Sequence, residues 1–360
     1  MRALLVMASG ARGGGAEHVL GLAGALGEVG VDVEVWTGTD GPLLDELERA
    51  GITAGPVELM HSRADPRAAA HLANRVRAHR PDVVHWHGTR AAFYGAWTRN
   101  RSVYTAHGLA FRKEHERWRR LAFIGAEAVA CRADAVVSVS RSDLDELIAK
   151  HLVSPARAFY VPNAVRTDRW GVLPDRTAAR ERLGVDGFVV GTTSRLVRQK
   201  GVDVALRALA GIDATFVVVG DGELGDELRA LGEQLGVDVR WLGQRDDVGS
   251  ILRALDVFVL SSRWEGEPIS LLEAMAFGLP CVATDTAGAR ELLDGAGWLT
   301  PIDDAPALSA AIEQARRGDP HRLEAAERRA SARSFTTMAR RVAELYELVV
   351  AGELVDNLRP

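Results

Sequence analysis

Short apolar runs alternate with helix-length amphipathic segments along the whole of this chain. In the first half, residues 3–7, 31–36, 83–87, 103–105, 135–139 and 158–161 read as strands. In the second half, 188–192, 215–219, 237–242, 257–260, 281–284 and 298–299 repeat the pattern. A period near 3.6 predicts helices over 43–50, 66–79, 141–150, 202–210 and 336–350, and one from Ala16. Strands separated by helices are parallel, with a helix crossing back over the sheet each time. The fold class is therefore α/β, with doubly wound, Rossmann-like sheets covered on both faces. A length of 360 residues suits two domains of ~150 each. The linker is expected between Asn163 and Asp186, where Arg, Asp, Pro and Gly accumulate.

The stretch from Ser261 to Ala276 carries the most chemistry. Gly266 and Pro268 break the chain after the strand at 257–260, and Leu271, Leu272, Met275 and Ala276 recur at helical spacing. Pro268 suits a first helical turn, where its missing N–H has no partner anyway. Glu265 then lies on a strand-end loop and Glu273 within the helix that follows. Ligands of open α/β sheets bind outside the carboxyl ends of the strands. Carboxylates accept hydrogen bonds from the diols of sugars and riboses. Either glutamate alone reads as an ordinary solvated residue; the pair after one strand does not. Upstream, Arg195 and Lys200 follow the strand at 188–192 and precede a helix, which places positive charge where a phosphate binds. Carboxylates for a diol and cations for a diphosphate together describe a nucleotide-sugar.

The chain resembles the retaining, GT-B-fold nucleotide-sugar glycosyltransferases of family 4. The resemblance rests on Glu265-x7-Glu273 with its Glu-Ala-Met-Ala end, and on Arg195-x4-Lys200-Gly201. Gly14-Gly15-Ala16-Glu17, Tyr104-Thr105-Ala106-His107-Gly108, Ser138-Val139-Ser140 and Val161-Pro162-Asn163 extend it over most of the chain. It implies two Rossmann-like domains with an interdomain cleft. An acceptor domain at 1–165 and a donor domain at 166–335 would be followed by a C-terminal helix, 336–360, that packs back on the first domain. It further implies transfer with retention from a nucleotide-diphosphate sugar, a UDP-sugar by expectation, to an acceptor hydroxyl. The acceptor would be a carbohydrate, a lipid-linked sugar or a small molecule, in polysaccharide, glycolipid or glycosylated-metabolite synthesis.

In such an enzyme Arg195 and Lys200 neutralise the leaving diphosphate, Glu265 holds hydroxyls of the transferred sugar, and His107 faces that sugar. Glu273 holds the ribose diol, while Gly14, Gly15, Gly266, Pro268, Ile269 and Ser270 line the donor site. Glu267 departs from the family's apolar or small residue; it either selects a sugar hydroxyl pattern or points to solvent. Many relatives also have glycine where Ala164 stands.

His85 and His87 share one side of a strand. No third metal ligand is evident beside them, and His85 reads as satisfied by hydrogen bonds. His87 and Arg90 lie at the strand end and could touch an acceptor. Gly220-Asp221-Gly222-Glu223 is a strand-to-helix turn, and Thr286-Ala287-Gly288 could approach a phosphate through backbone N–H groups. The run Arg112-Lys113-Glu114-His115-Glu116-Arg117-Trp118-Arg119-Arg120 is either a solvated helix face or a contact for an anionic membrane surface or a phosphorylated lipid acceptor.

Composition narrows the alternatives. A net charge of −5 disfavours nucleic acid as a partner. Cys131 and Cys281 lie far apart, in apolar surroundings and without zinc spacing, so they predict a reducing, cytoplasmic setting. No apolar run reaches the ~18 residues of a membrane span. Asp246-Asp247 and Asp303-Asp304 sit in helix-start loops, so no cofactor and no catalytic metal are expected. Three rival readings remain: a hydrolase using Glu265 and Glu273, an epimerase of the same fold, and a non-catalytic nucleotide-sugar-binding protein.

Overall fold

The structure, a computed structural model, describes residues 1–59, 65–112, 116–166 and 170–354. The chain divides into two compact units. One comprises Met1–Asn163 together with the segment that begins at Ser334, and the other comprises Ala164–Arg333.

In the first unit the strands are β1 (Arg2–Met7), β2 (Asp32–Thr37), β3 (Thr53–Pro56), β4 (Val83–His87), β5 (Ser102–Ala106), β6 (Ala135–Ser138) and β7 (Ala158–Tyr160). They form one parallel sheet in the order β3-β2-β1-β4-β5-β6-β7. The order reverses direction between β1 and β4, so the loops after these two strands diverge and leave a crevice. The first helix, Gly14–Glu28, starts two residues before the expected Ala16 and follows the glycine-rich loop after β1. The helix Phe335–Ala351 packs on it, with the Phe335 ring against Gly21, where a Cβ would come within 2.4 Å of that ring. Val342, Leu345 and Val349 are buried as the helical period predicts; Leu348 is half-buried, and Tyr346 is buried in addition. The edge strand β3 is absent from the sequence reading. Its Gly55 and Pro56 are poor strand formers, and proline is tolerated because an edge strand needs fewer ladder bonds.

In the second unit the strands are β8 (Val189–Thr193), β9 (Thr215–Val219), β10 (Asp238–Gly243), β11 (Val257–Leu260), β12 (Cys281–Thr284) and β13 (Trp298–Thr300). Their parallel order is β10-β9-β8-β11-β12-β13, so the reversal lies between β8 and β11. The strand period of two distributes side chains to two cores. Val217, Val219, Phe258 and Leu260 join one cluster, while Phe216, Val218, Val257 and Val259 join the other. Each fully buried side chain of this kind contributes about 1.5–3 kcal/mol. The stretch read as a linker contains the helix Arg176–Leu183, which is tied into the second unit. Arg180 bonds the Asp256 carboxylate at 2.6 Å, and that carboxylate also accepts from the Val189 N–H at 2.8 Å. Local composition could not show this, because the anchor is Asp256, far along the chain.

Glu127, on the helix Arg117–Ala130, is buried in the first unit. It accepts from the Tyr104 hydroxyl at 2.6 Å and from Thr89 Oγ1 at 2.8 Å. Burial pushes its carboxyl up from 4.5 to about 7, against the downward pull of those two hydrogen bonds. The folded state therefore holds this proton more tightly than the unfolded chain. The resulting stability is complete below about pH 4.5 and is lost as pH rises through about 7. The loss amounts to about 3 kcal/mol. Glu127→Gln keeps an acceptor but cannot titrate. Its unfolding free energy should fall less than wild type's between pH 5 and pH 8 in urea titrations; identical pH slopes would contradict the assignment.

Candidate functional site

The predicted donor residues of the second unit gather where the sheet order reverses. Residues 195–201 follow β8, and residues 261–268 follow β11, its neighbour. Backbone and side chain stitch the two loops together. The Arg263 N–H donates to the Gln199 carbonyl at 2.7 Å, Gln199 Nε2 to the Trp264 carbonyl at 2.9 Å, and Ser261 Oγ to the Lys200 carbonyl at 3.1 Å. Gly201 has φ 59°, and a Cβ there would lie 2.1 Å from the Ser261 carbonyl oxygen. Only glycine allows this approach.

Lys200 and Glu265 meet directly. Lys200 Nζ lies 2.5 Å from Glu265 Oε1, and Ser262 Oγ donates to the same oxygen at 2.6 Å. The two side chains are only 16% and 8% exposed, so little water screens the pair. Arg195, on the same loop as Lys200, is exposed, and its guanidinium has no partner among the described residues. Pro268 takes the N-cap of the helix Ile269–Ala276 rather than its first turn. Ile269 and Ser270 are half-buried in that first turn, and Glu273 is buried on the second turn. The Gly266 carbonyl packs against Gly288, where a Cβ would sit 1.3 Å from its oxygen. Thr286 caps the helix Ala287–Leu293 by accepting from the Ala289 N–H. The turn at Gly220 to Glu223 also backs this site: the Leu196 N–H donates to the Asp221 carbonyl at 2.9 Å.

Glu267 does not point to solvent: it is buried and paired with Arg333 of the same unit. Its partner lies 66 residues away, out of reach of a motif comparison.

In the first unit, histidines converge at the other reversal point. His87 ends β4, His107 follows β5, and His18 sits on the helix after β1. His87 Nδ1 lies 3.2 Å from His107 Nε2, and the ring centroids of His18 and His107 are 4.6 Å apart. His18 Nδ1 meets Asn163 Oδ1 at 2.9 Å. Burial pulls the His18 ring down to about 4 and lowers His87 and His107 well below 6.5, so all three are neutral near pH 7. His85 is satisfied as expected, by Tyr346 Oη at 2.6 Å on Nδ1 and Thr105 Oγ1 at 2.6 Å on Nε2.

The expectation that no third ligand lies beside His87 is corrected: one nitrogen from each of His18, His87 and His107 can be chosen with all three within 4.8 Å of one another. His18 gave no signal in the sequence because three separate segments, a helix, a strand end and a loop, bring these rings together. Gly14 and Gly15 open the helix that carries His18; Gly14 is exposed and Gly15 half-buried, in contact with Met7. Arg90 is half-buried one turn beyond His87. Ala164 is buried and does not adopt positive φ.

The basic run does not act as one face. Arg112 is drawn inward by Asp143 and Glu146, and Lys113, Glu114 and His115 lie outside the described residues. The helix then starts at Arg117, with Trp118 65% and Leu121 68% exposed beside Arg117, Arg119 and Arg120. Among the described residues no helix is long and apolar enough to cross a membrane.

The family described as Glycosyltransferase Family 4 matches residues 12–169, and that described as Glycosyl transferases group 1 matches residues 187–317. A D-inositol 3-phosphate glycosyltransferase of Actinosynnema mirum is 30% identical over 324 residues, 78% of each chain. The UDP-Gal:alpha-D-GlcNAc-diphosphoundecaprenol alpha-1,3-galactosyltransferase of Escherichia coli is 28% identical over 76% of this chain and 77% of its own. The crystal structure of Anabaena HepE in complex with UDP and glucose superposes with a TM-score of 0.84 at 26% identity, over 96% of this chain and 99% of that one. Two Rossmann-like units with these structural neighbours constitute the GT-B fold. The chain belongs to the family 4 glycosyltransferases.

Proposed function

We propose that this chain transfers a sugar from a UDP-sugar to an acceptor hydroxyl with retention, and that the reaction needs no divalent ion. The observation that carries the reading is the Lys200–Glu265 pair beside an exposed Arg195, at the reversal point of the second unit's sheet. An arriving diphosphate offers Lys200 a stronger anionic partner. Lys200 and Arg195 then face the charge that grows as the bond between the sugar's anomeric carbon and the phosphate oxygen breaks. Glu265, released from Lys200 and still oriented by Ser262, accepts hydrogen bonds from hydroxyls of the sugar. Glu273 accepts from the ribose diol. His107, neutral and half-buried, offers a ring N–H to a hydroxyl. In a same-face displacement the acceptor oxygen attacks where the phosphate departs, and a leaving-phosphate oxygen takes the acceptor's proton. No side-chain base is required. UDP as the nucleotude carrier is supported by HepE, which is seen with UDP, and by the named donor of the E. coli relative.

The exposed Trp118–Leu121 face with its three arginines is assigned to an anionic membrane surface, which suits a lipid-linked acceptor such as that named for the E. coli relative.

Two outcomes are expected. Transfer assayed with a panel of UDP-sugars should proceed at an unchanged rate in excess chelator, with the product's anomeric configuration that of the donor. Lys200→Ala, still folded, should lower kcat by about 100-fold. Loss of activity in chelator, restored by Mg²⁺ or Mn²⁺, would contradict the charge assignment. Separately, the protein should co-sediment with anionic vesicles at low salt, and reversing Arg117, Arg119 and Arg120 to Glu should release it. A wild-type protein that stays in the supernatant removes the membrane contact.

A further inference from the structure

The three histidines at the reversal point of the first unit have more in common than proximity. They come from separate places: His18 from the helix after β1, His87 from the end of β4, and His107 from the loop after β5. His18 and His87 are only 2% exposed, whereas His107 is half-buried. His87 Nε2 is buried with no hydrogen-bond partner, a costly state for an imidazole nitrogen. Asn163 Oδ1 accepts from His18 Nδ1 at 2.9 Å, which fixes the tautomer and leaves the lone pair of His18 Nε2 facing away from that bond. A metal-bound histidine is commonly held in this way, its second nitrogen donating to a carbonyl or carboxylate.

We propose that His18, His87 and His107 form a three-imidazole site for a borderline divalent transition metal of the Zn²⁺ class. One nitrogen from each ring already lies within 4.8 Å of the other two. Zinc–nitrogen bonds of about 2.0–2.1 Å need a closer approach than that. With His18 held by Asn163, rotation of the other two rings about their broad terminal torsion supplies it. The ligand set is three uncharged nitrogens, and His107 is the least buried of the three, so a fourth ligand would come from its side. Imidazole selects Zn²⁺, Cu²⁺, Ni²⁺ and Co²⁺ over the hard ions Mg²⁺ and Ca²⁺. The site is therefore distinct in kind from a Mg²⁺–diphosphate site. Occupancy would take a nitrogen of His107 away from the hydroxyl assigned to it above, so the bound metal inhibits transfer. That consequence rests on the transferase reading; the binding itself does not.

Cobalt(II) titrated into the full chain tests the binding directly. The expected result is the intense visible absorption of a tetrahedral nitrogen site, saturating at one equivalent and bleached by added Zn²⁺. His18→Phe and His87→Phe should each weaken binding by at least about 10-fold, and Asn163→Ala, which frees the His18 ring, by about 10-fold. His71→Ala, at an exposed position on the helix Pro66–His79, should leave the titration unchanged. Absence of the band in wild type overturns the proposal, as does a band that survives both ring replacements. If those variants fail to fold, histidine NMR of wild type decides instead. Cobalt should shift or broaden the ring signals of His18, His87 and His107 while sparing His71; the reverse pattern overturns the site.

Discussion

The contact on which the second unit's chemistry depends is the ion pair of Lys200 and Glu265 across two neighbouring loops. A pair this sheltered from water gains little net stability, because desolvating both charges offsets most of their attraction. Its value lies in positioning. The loop after β8 can approach the loop after β11 only because residue 201 has no Cβ, and further hydrogen bonds hold the two loops in register. A cation and a carboxylate, the groups proposed to meet phosphate and sugar hydroxyls, are thereby fixed side by side. In the proposed reaction the donor exchanges this contact for its own, and the stitched loops keep both side chains in place while it does so.

The same topological device operates in both units. Each sheet reverses its strand order once, between β1 and β4 in one unit and between β8 and β11 in the other. In each, the chemistry-bearing side chains collect at the carboxyl ends beside that reversal. The second unit gathers opposite charges there, while the first gathers neutral imidazoles desolvated by burial. This contrast agrees with the proposal that the second unit receives a charged nucleotide-sugar.

Much of this was legible from the residues in order. The strands of both sheets show as apolar runs because both faces are buried, and β4, β9, β11 and β12 fall on the expected residues. Lys200 and Glu265 could be placed at strand ends by the same logic. What escaped was set by distant partners. β3 carries Gly55 and Pro56 and owes its pairing to β2; the helix Arg176–Leu183 looks like linker until Asp256 anchors it. Glu267 could equally have faced solvent until the structure paired it with Arg333. His18 gave no local signal, since its neighbours in space are 69 and 89 positions away by residue number.

The donor's nucleotide is proposed to rest on the helix that begins after Glu265. Calorimetric titration of the cognate UDP-sugar into Glu273→Ala is the decisive measurement. Losing the carboxylate that accepts from the ribose diol should weaken donor binding by about 1.5–3 kcal/mol, roughly 10- to 150-fold in Kd. Wild-type affinity in that folded variant would place the donor elsewhere.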